Sequence, residues 1–422
     1  MYLLLSILAT FLFTFGVNSD KIDIANEIAR ARHNFNLHFL KALDHRANQT
    51  NVVVSTFGIH SALSALLMGA KANTHQELWN VLGYDYVTEF LFYLYLFFLF
   101  FLFRYNYTKL DQKTFLQANK QTFANLTQLR SSGLLLSNLF AVDENLSLKQ
   151  EFHDALVNDF SSAIRKEDFI NSADKATKDI NNWVKDATNG KIDPLFDEPL
   201  SGNTRAVIAN ALYFNSSWLS SFEAHSNFVS EFHLANKATK NVTYMTIPSH
   251  RLKKSRYLKS FGFSSIQIPF GNDERLYFGI MLPNSNEKNL DCCTLHTDAI
   301  RRTHEIPIKL TIPKFAITQT HNALKDILES MGVREVFNNG ADLSGIDGKH
   351  DLFVSKIIQK ATINVNENGV EASAATGVDI EIKSMPFESS NTIEFTVNSP
   401  FIFTISDRAS NVDLFTGFVY DP

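Results

Sequence analysis

Residues 366–391 read NENGVEASAATGVDIEIKSMPFESSN, and their reading decides the fold. Sorted by parity, the even positions from Val370 are Ala372, Ala374, Thr376, Val378, Ile380 and Ile382. The odd positions are Glu371, Ser373, Ala375, Gly377, Asp379, Glu381 and Lys383. One face is small and apolar and the other is mainly polar, a period of two that predicts a strand with one face toward a core. The segment then ends in SMPFESSN, where Pro386 interrupts ladder pairing and the composition is that of an exposed loop. The first core-facing side chains are small, as entry into a tight slot requires. Two readings stand: an ordinary edge strand, or a segment that is a loop in one state and a strand in another.

Working outward, residues 59–69 are apolar nearly all round, which predicts a buried helix. Thr74, followed by Glu77 three residues on, forms a capping-box pattern and predicts the start of a second helix. Over 172–188, Ala173, Ala176, Ile180, Trp183, Val184 and Ala187 share one helical face, with Ser172 as cap and Gly190 as terminator. Val207–Phe214 reads as a buried strand, and Ile308, Leu310 and Ile312 alternate as a half-buried one. Phe395–Ile405 and Leu414–Val419 read as further strands. No Pro/Gly/Ser-rich linker and no internal repeat divides the chain, so the pattern predicts one α+β domain.

Composition narrows the function classes. The chain has 422 residues, 45% hydrophobic and 20% charged, and a formal net charge of −5, which gives no bulk attraction for nucleic acid. No G-x-S-x-G elbow, H-E-x-x-H helix, P-loop or G-x-G-x-x-G occurs, and the 13 His form no ligand pair at helical spacing. No catalytic constellation, metal site or cofactor is expected. Arg251, Lys253, Lys254, Arg256 and Lys259 cluster within nine residues. They read either as a solvated charge run or as a weak site for an anionic polysaccharide.

Residues 1–19 carry no charged side chain and an apolar run from Leu3 to Val17, with small residues at Val17 and Ser19. This is the pattern of a secretory signal peptide cut after Ser19, leaving a domain over 20–422; the alternative is an N-terminal anchor. Six N-x-S/T sequons follow, at Asn48, Asn106, Asn125, Asn145, Asn215 and Asn241, consistent with a secreted glycoprotein. Cys292 and Cys293 are adjacent, and a bond between neighbours would be strained, so they read as free thiols or one intermolecular bridge. Residues 90–103, FLFYLYLFFLFFLF, do not belong to a soluble fold. As a helix they would span about 21 Å, short of the roughly 30 Å hydrocarbon core, and as an exposed loop they would aggregate. Because Phe, Leu and Tyr codons are T-rich, the favoured reading is a translated non-coding tract rather than a membrane segment.

Across nearly the whole mature length, the chain resembles the serpin family. NENGVEASAAT (366–376) is similar to the family hinge E-x-G-T-E-A-A-A-A-T, and NVVVSTFGI (51–59) to N-x-x-x-S-P-x-S-I. GAKANT (69–74) resembles G-A-x-G-x-T, and Asn210–Phe214 through Trp218 resembles N-A-x-Y-F-x-x-x-W. IPKF (312–315), ADLSG (341–345), SPFIF (399–403) and FTG (415–417) complete eight motifs in family order. Thr56 stands where Pro is usual, Gly58 where the second Ser is usual and Ala72 where Gly is usual. Gln359 occupies a site often His, and Val370 one that is usually Thr.

The resemblance implies a single domain of helices packed around a large central sheet plus smaller sheets, with an exposed reactive loop. It implies a monomer that is no enzyme but a bait for serine proteases. The hinge would comprise Glu367, Gly369, Val370, Glu371, Ala372, Ser373, Ala374, Ala375 and Thr376. Ser55, Asn210, Trp218 and Gln359 would lie where the sheet opens to admit the loop. The family places the scissile bond sixteen residues beyond the hinge Glu, which gives Lys383–Ser384. Lys383 is the only Lys or Arg between Gly369 and Ser406, and a Lys fits the specificity pocket of a trypsin-like protease. The expected function is therefore a secreted trap for trypsin-like proteases. The competing expectation is a non-inhibitory member acting as a carrier, a storage protein or a mere protease substrate.

Overall fold

A computed structural model describes residues 24–47, 49–84, 112–260, 262–271, 275–284, 305–370 and 392–422. The first part of the chain holds α1 (Ile24–Ala47), β1 (Val52–Val54), α2 (Thr56–Leu67), α3 (Ala72–Val81) and α4 (Gln112–Thr127). Then come β2 (Leu134–Asp143), α5 (Gln150–Asn158), β3 (Ser162–Glu167), α6 (Phe169–Ala187), β4 (Ala206–Phe214) and β5 (Ser216–Ser217). Strands dominate the next stretch: β6 (Phe228–His233), β7 (Thr239–Ile247), β8 (Arg256–Lys259), β9 (Phe263–Pro269), β10 (Leu276–Pro283), β11 (Ile308–Pro313) and β12 (Phe315–His321). The chain closes with α7 (Leu324–Met331), α8 (Ser344–Asp347), β13 (Lys356–Asn366), β14 (Gly369–Val370), β15 (Ile393–Thr396), β16 (Phe401–Asp407) and β17 (Val412–Val419). The α+β expectation holds.

The central sheet runs β3-β2-β4-β13, with β12 on the far edge of β13 and the two-residue strands β14 and β5 beyond the end of β4. A six-stranded sheet runs β1-β17-β16-β10-β9-β8, and a four-stranded one β15-β11-β7-β6. β4 shows why the central sheet reads as an unbroken apolar run. Val207, Ala209 and Ala211 point one way, into a small core with Ile180 and Val184 of α6. Ala206, Ile208, Leu212 and Phe214 point the other way, into the main core. A strand buried on both faces has no polar side to alternate with.

Four local expectations are corrected. The capping box does not form: α3 starts at Ala72, and Thr74 lies inside it. The Thr74 hydroxyl instead donates to Glu335 at 2.7 Å and accepts from the Asp342 amide at 2.9 Å. The Glu77 carboxylate accepts from the Arg334 and Glu335 amides, each at 2.8 Å. Distant backbone donors outcompeted the local ones. Ser172 is not the cap of α6; Asp168 is, accepting from the Asn171 amide at 2.9 Å, and Ser172 sits at a kink with non-helical φ and ψ. Gly190 does close that helix, donating its amide to Lys185 O at 2.7 Å. Phe395–Ile405 is two strands in two sheets, β15 and β16, separated at Ser399-Pro400. The missing amide of Pro400 accounts for the break. The buried helix predicted at 59–69 begins three residues earlier, because Ser55 caps it by accepting from the Gly58 amide at 3.1 Å.

Candidate functional site

The seam between the parallel strands β4 and β13 is where the sequence places its most unusual residues. Seven Cα pairs register along it, from Lys356 opposite Val207 to Thr362 opposite Tyr213. Beyond that point β4 ends, and β13 runs on to Asn366. The chain turns there, with the Asn368 amide donating to the Asn366 side chain at 2.9 Å, and comes back as β14. Val370 pairs with Val365 of β13 on one side and with Ser216 of β5 on the other. Its side chain is fully buried, at 0% exposure. Val370 belongs to the segment read as loop or strand, and at this residue it is already strand. Gly369 is required by proximity: a Cβ there would lie 2.0 Å from Ser216 O.

The turn is fastened from below. Trp218 donates its indole N–H to Asn366 O at 2.8 Å and its amide to Asn368 O at 3.0 Å, while its ring stacks on Phe270 with centroids 4.7 Å apart. The Phe222 amide donates to Glu367 O at 3.1 Å. The Glu367 carboxylate accepts from Lys314 Nζ at 2.8 Å and from the Asn227 side-chain Nδ2. Burial pushes the Glu367 carboxyl up, but bonds from Lys314, its own backbone and Asn227 outweigh it and hold the group below the ordinary carboxylate range.

Farther down the seam lies a buried chain of amides. Gln359 Oε1 accepts from the Ser55 amide at 2.7 Å, and Gln359 Nε2 donates to Ser55 O at 2.9 Å and to Asn210 Oδ1 at 2.6 Å. Asn210 Nδ2 donates in turn to Asn138 Oδ1 of β2 at 2.6 Å. One carboxamide after another thus ties the start of α2 to three strands, and Gln359 is 0% exposed. Only a side chain that both donates and accepts can fill the Gln359 position. Gly58 makes room for the chain: a Cβ there would lie 2.3 Å from Asn210 Oδ1.

The structure therefore brings Ser55, Asn210 and Gln359 together. It sets Trp218 apart, at the end of the seam, where it bonds to a residue seven positions along β13 from Gln359, about 23 Å away at strand rise. Sequence reading missed Asn138, Lys314 and Asn227. Asn138 had a signal, a lone amide inside LLLSNLFAV, and Lys314 stood inside the IPKF motif; Asn227 had none.

The remaining expected positions divide between described and undescribed residues. Glu371, Ala372, Ser373, Ala374, Ala375, Thr376, Lys383 and Ser384 lie outside the described residues, as do 1–19, 90–103, Asn48, Asn106, Cys292 and Cys293. Asn145 and Asn241 are exposed; Asn125 lies half-buried in α4, and Asn215 is half-buried just after β4. Lys253, Lys254 and Lys259 are exposed, Arg256 is half-buried and Arg251 forms an ion pair with Glu223. Among the described residues no helix is long and apolar enough to cross a membrane, and no cluster could hold a metal ion.

A family model described as serpin (serine protease inhibitor) matches residues 30–422. Serpin B4 of Homo sapiens is 31% identical over 396 residues, covering 89% of this chain and 95% of the relative. Intracellular coagulation inhibitor 2 of Tachypleus tridentatus is 28% identical over 407 residues, covering 95% of this chain and 92% of the relative. The crystal structure of Serpin48 from the insect Tenebrio molitor is similar at a TM-score of 0.75 and 27% identity, covering 95% of this chain and all of that one.

Proposed function

The chain belongs to the serpin family, and from that premise we propose that it is a secreted, monomeric inhibitor of trypsin-like serine proteases that acts as a single-use bait. The observation that carries the reading is the seated pair Gly369–Val370, which starts an extra strand at the open end of the β4–β13 seam. In the proposed course, the protease serine attacks the Lys383 carbonyl and gives its proton to the protease histidine. The bond to Ser384 breaks, the new amine leaves with that proton, and an acyl-enzyme remains. Residues 371–382 then follow Val370 into the seam, their apolar even side chains facing the core and the first of them, Ala372 and Ala374, small. Each new ladder bond contributes roughly 0.5–1.5 kcal/mol, so about ten stabilise the inserted state by on the order of 10 kcal/mol. The tethered protease is pulled away before water can deacylate it, and the uncleaved state is held kinetically.

Secretion is supported by the signal pattern at 1–19 and by the exposure of two sequon residues, Asn145 and Asn241. Exposed Lys253, Lys254 and Lys259 support a weak site for an anionic polysaccharide, with Arg251 engaged by Glu223 instead. We read 90–103 as a tract outside the working domain; recovery of an intact peptide across it from the natural protein would overturn that.

The test is to mix the secreted protein with trypsin and run a denaturing gel. A band at the summed mass, with a released fragment starting at Ser384, is expected. Cleavage at Lys383 with no such band would point to a non-inhibitory member. Ala374→Arg should leave the bond cleavable and abolish the band, because a charge would have to enter the sheet unpaired.

A further inference from the structure

Behind β5 lies a cavity of about 690 Å3, within the range of small-molecule sites. Its floor is apolar and buried: Leu135, Tyr213, Phe270 and Leu276. Its rim carries the exposed cations Arg130 and Lys191. Lys191 Nζ lies 5.4 Å from the centre of the Tyr213 ring, which places a positive charge directly over an aromatic surface. One wall is Ser216 and Ser217, the strand whose other edge pairs with Gly369 and Val370. Phe270, on the floor, is the ring on which Trp218 stacks.

An apolar aromatic floor under two rim cations suits a ligand with a flat apolar body and one negative group. We propose that this cavity binds a small amphipathic organic anion, such as an aryl sulfonate or aryl carboxylate, and that its occupant holds Gly369–Val370 seated between β13 and β5. The coupling follows from linkage. If β14 leaves, β5 loses its ladder partner on that edge, and the wall keeps only the bonds from the Gly271 amide to Ser217 O at 2.9 Å and from the Asn215 amide to Gly133 O at 3.0 Å. A ligand that needs the wall in place binds the seated state better and shifts the population toward it. This site stands whether or not the chain traps proteases.

The experiment uses the full secreted protein at neutral pH and 8-anilinonaphthalene-1-sulfonate as probe. Asn215, in a sequon, lines the cavity, so the protein is measured with and without enzymatic removal of N-linked sugar, and binding in either form counts. One saturable site is expected. In Arg130→Glu/Lys191→Glu its dissociation constant should rise at least about tenfold, the loss of charge-assisted contacts. Hydrogen exchange on the wild-type protein provides a readout that does not depend on the variant folding. The probe should slow exchange across 130–135 and 213–217, and several-fold at 369–370. An unchanged dissociation constant in the folded double variant, or a footprint elsewhere, overturns the site. Protection of the walls with no change at 369–370 overturns the coupling.

Discussion

The two ends of the β4–β13 seam are held by different physics. In the middle, Gln359, Asn210, Asn138 and Ser55 form a neutral, fully buried amide chain across three strands. At the end, the hinge is held by a two-residue strand, one indole and an ion pair whose lysine is 35% exposed. Buried amides cannot be left unmade without a large penalty, whereas part-exposed charges exchange one solvated state for another at small cost. In the insertion course proposed above, the seam opens from its end and its middle decides how far.

Four substitutions test that difference, in falling order of effect. Gln359→Leu should be the worst, because it strips the partners from the Ser55 amide and Asn210 Oδ1 and leaves the Ser55 carbonyl with the Ile59 amide alone. At about 1–3 kcal/mol for each buried group, a loss on the order of 4 kcal/mol is expected in urea unfolding. A loss below about 1 kcal/mol would show that the amide chain is not what holds the seam. Gly58→Ser should cost about 1–3 kcal/mol by overpacking, since the new Cβ must displace the whole Asn210 amide, and the same unfolding curve reads it.

Trp218→Phe keeps most of the ring stacking on Phe270 and removes the bond to Asn366 O. It should cost about 1 kcal/mol and show mainly as faster hydrogen exchange at 366–370, with exchange around Gln359 unchanged. Equal acceleration at both places would mean that the seam opens as one unit.

The smallest effect is pH-dependent. Because the Glu367 carboxyl is held below its ordinary value, its contribution is present above the unfolded pKa of about 4.3 and is lost as pH falls through the folded value. Less than about 1 kcal/mol is expected, given the exposure of Lys314. Hinge exchange, corrected for its intrinsic rate, should quicken below about pH 4 in the wild type and lose that dependence in Glu367→Gln. The Gln359 chain contains no titratable group and should contribute no pH dependence of its own.

Most of the framework was legible because it is written locally. The apolar run of Val207–Phe214, the helical face from Ala176 to Val184 and the alternation over Ile308–Ile312 are each decided by neighbours in sequence. The buried position of Val370 was legible for the same reason, since parity alone assigned it to the apolar face. Legibility failed where a side chain had a choice of partners. Thr74 and Glu77 have the spacing of a capping box, yet both turn to the backbone of residues 334–342, more than two hundred residues on. Asp168 took the cap that Ser172 was expected to supply.

Residue order alone dictates an α+β chain with serpin motifs in sequence, a hinge of small alternating residues and a single basic bait candidate. It took the folded molecule to show that Asn138 completes the Gln359 chain, that Gly58 leaves room for Asn210, that Lys314 and Asn227 hold Glu367, and that β5 stands between the hinge and a cavity. The reason is physical. Periodicity and turn chemistry act over a few residues, but a buried amide or ion pair is fixed by which distant strands become neighbours. That is settled only when the sheets close.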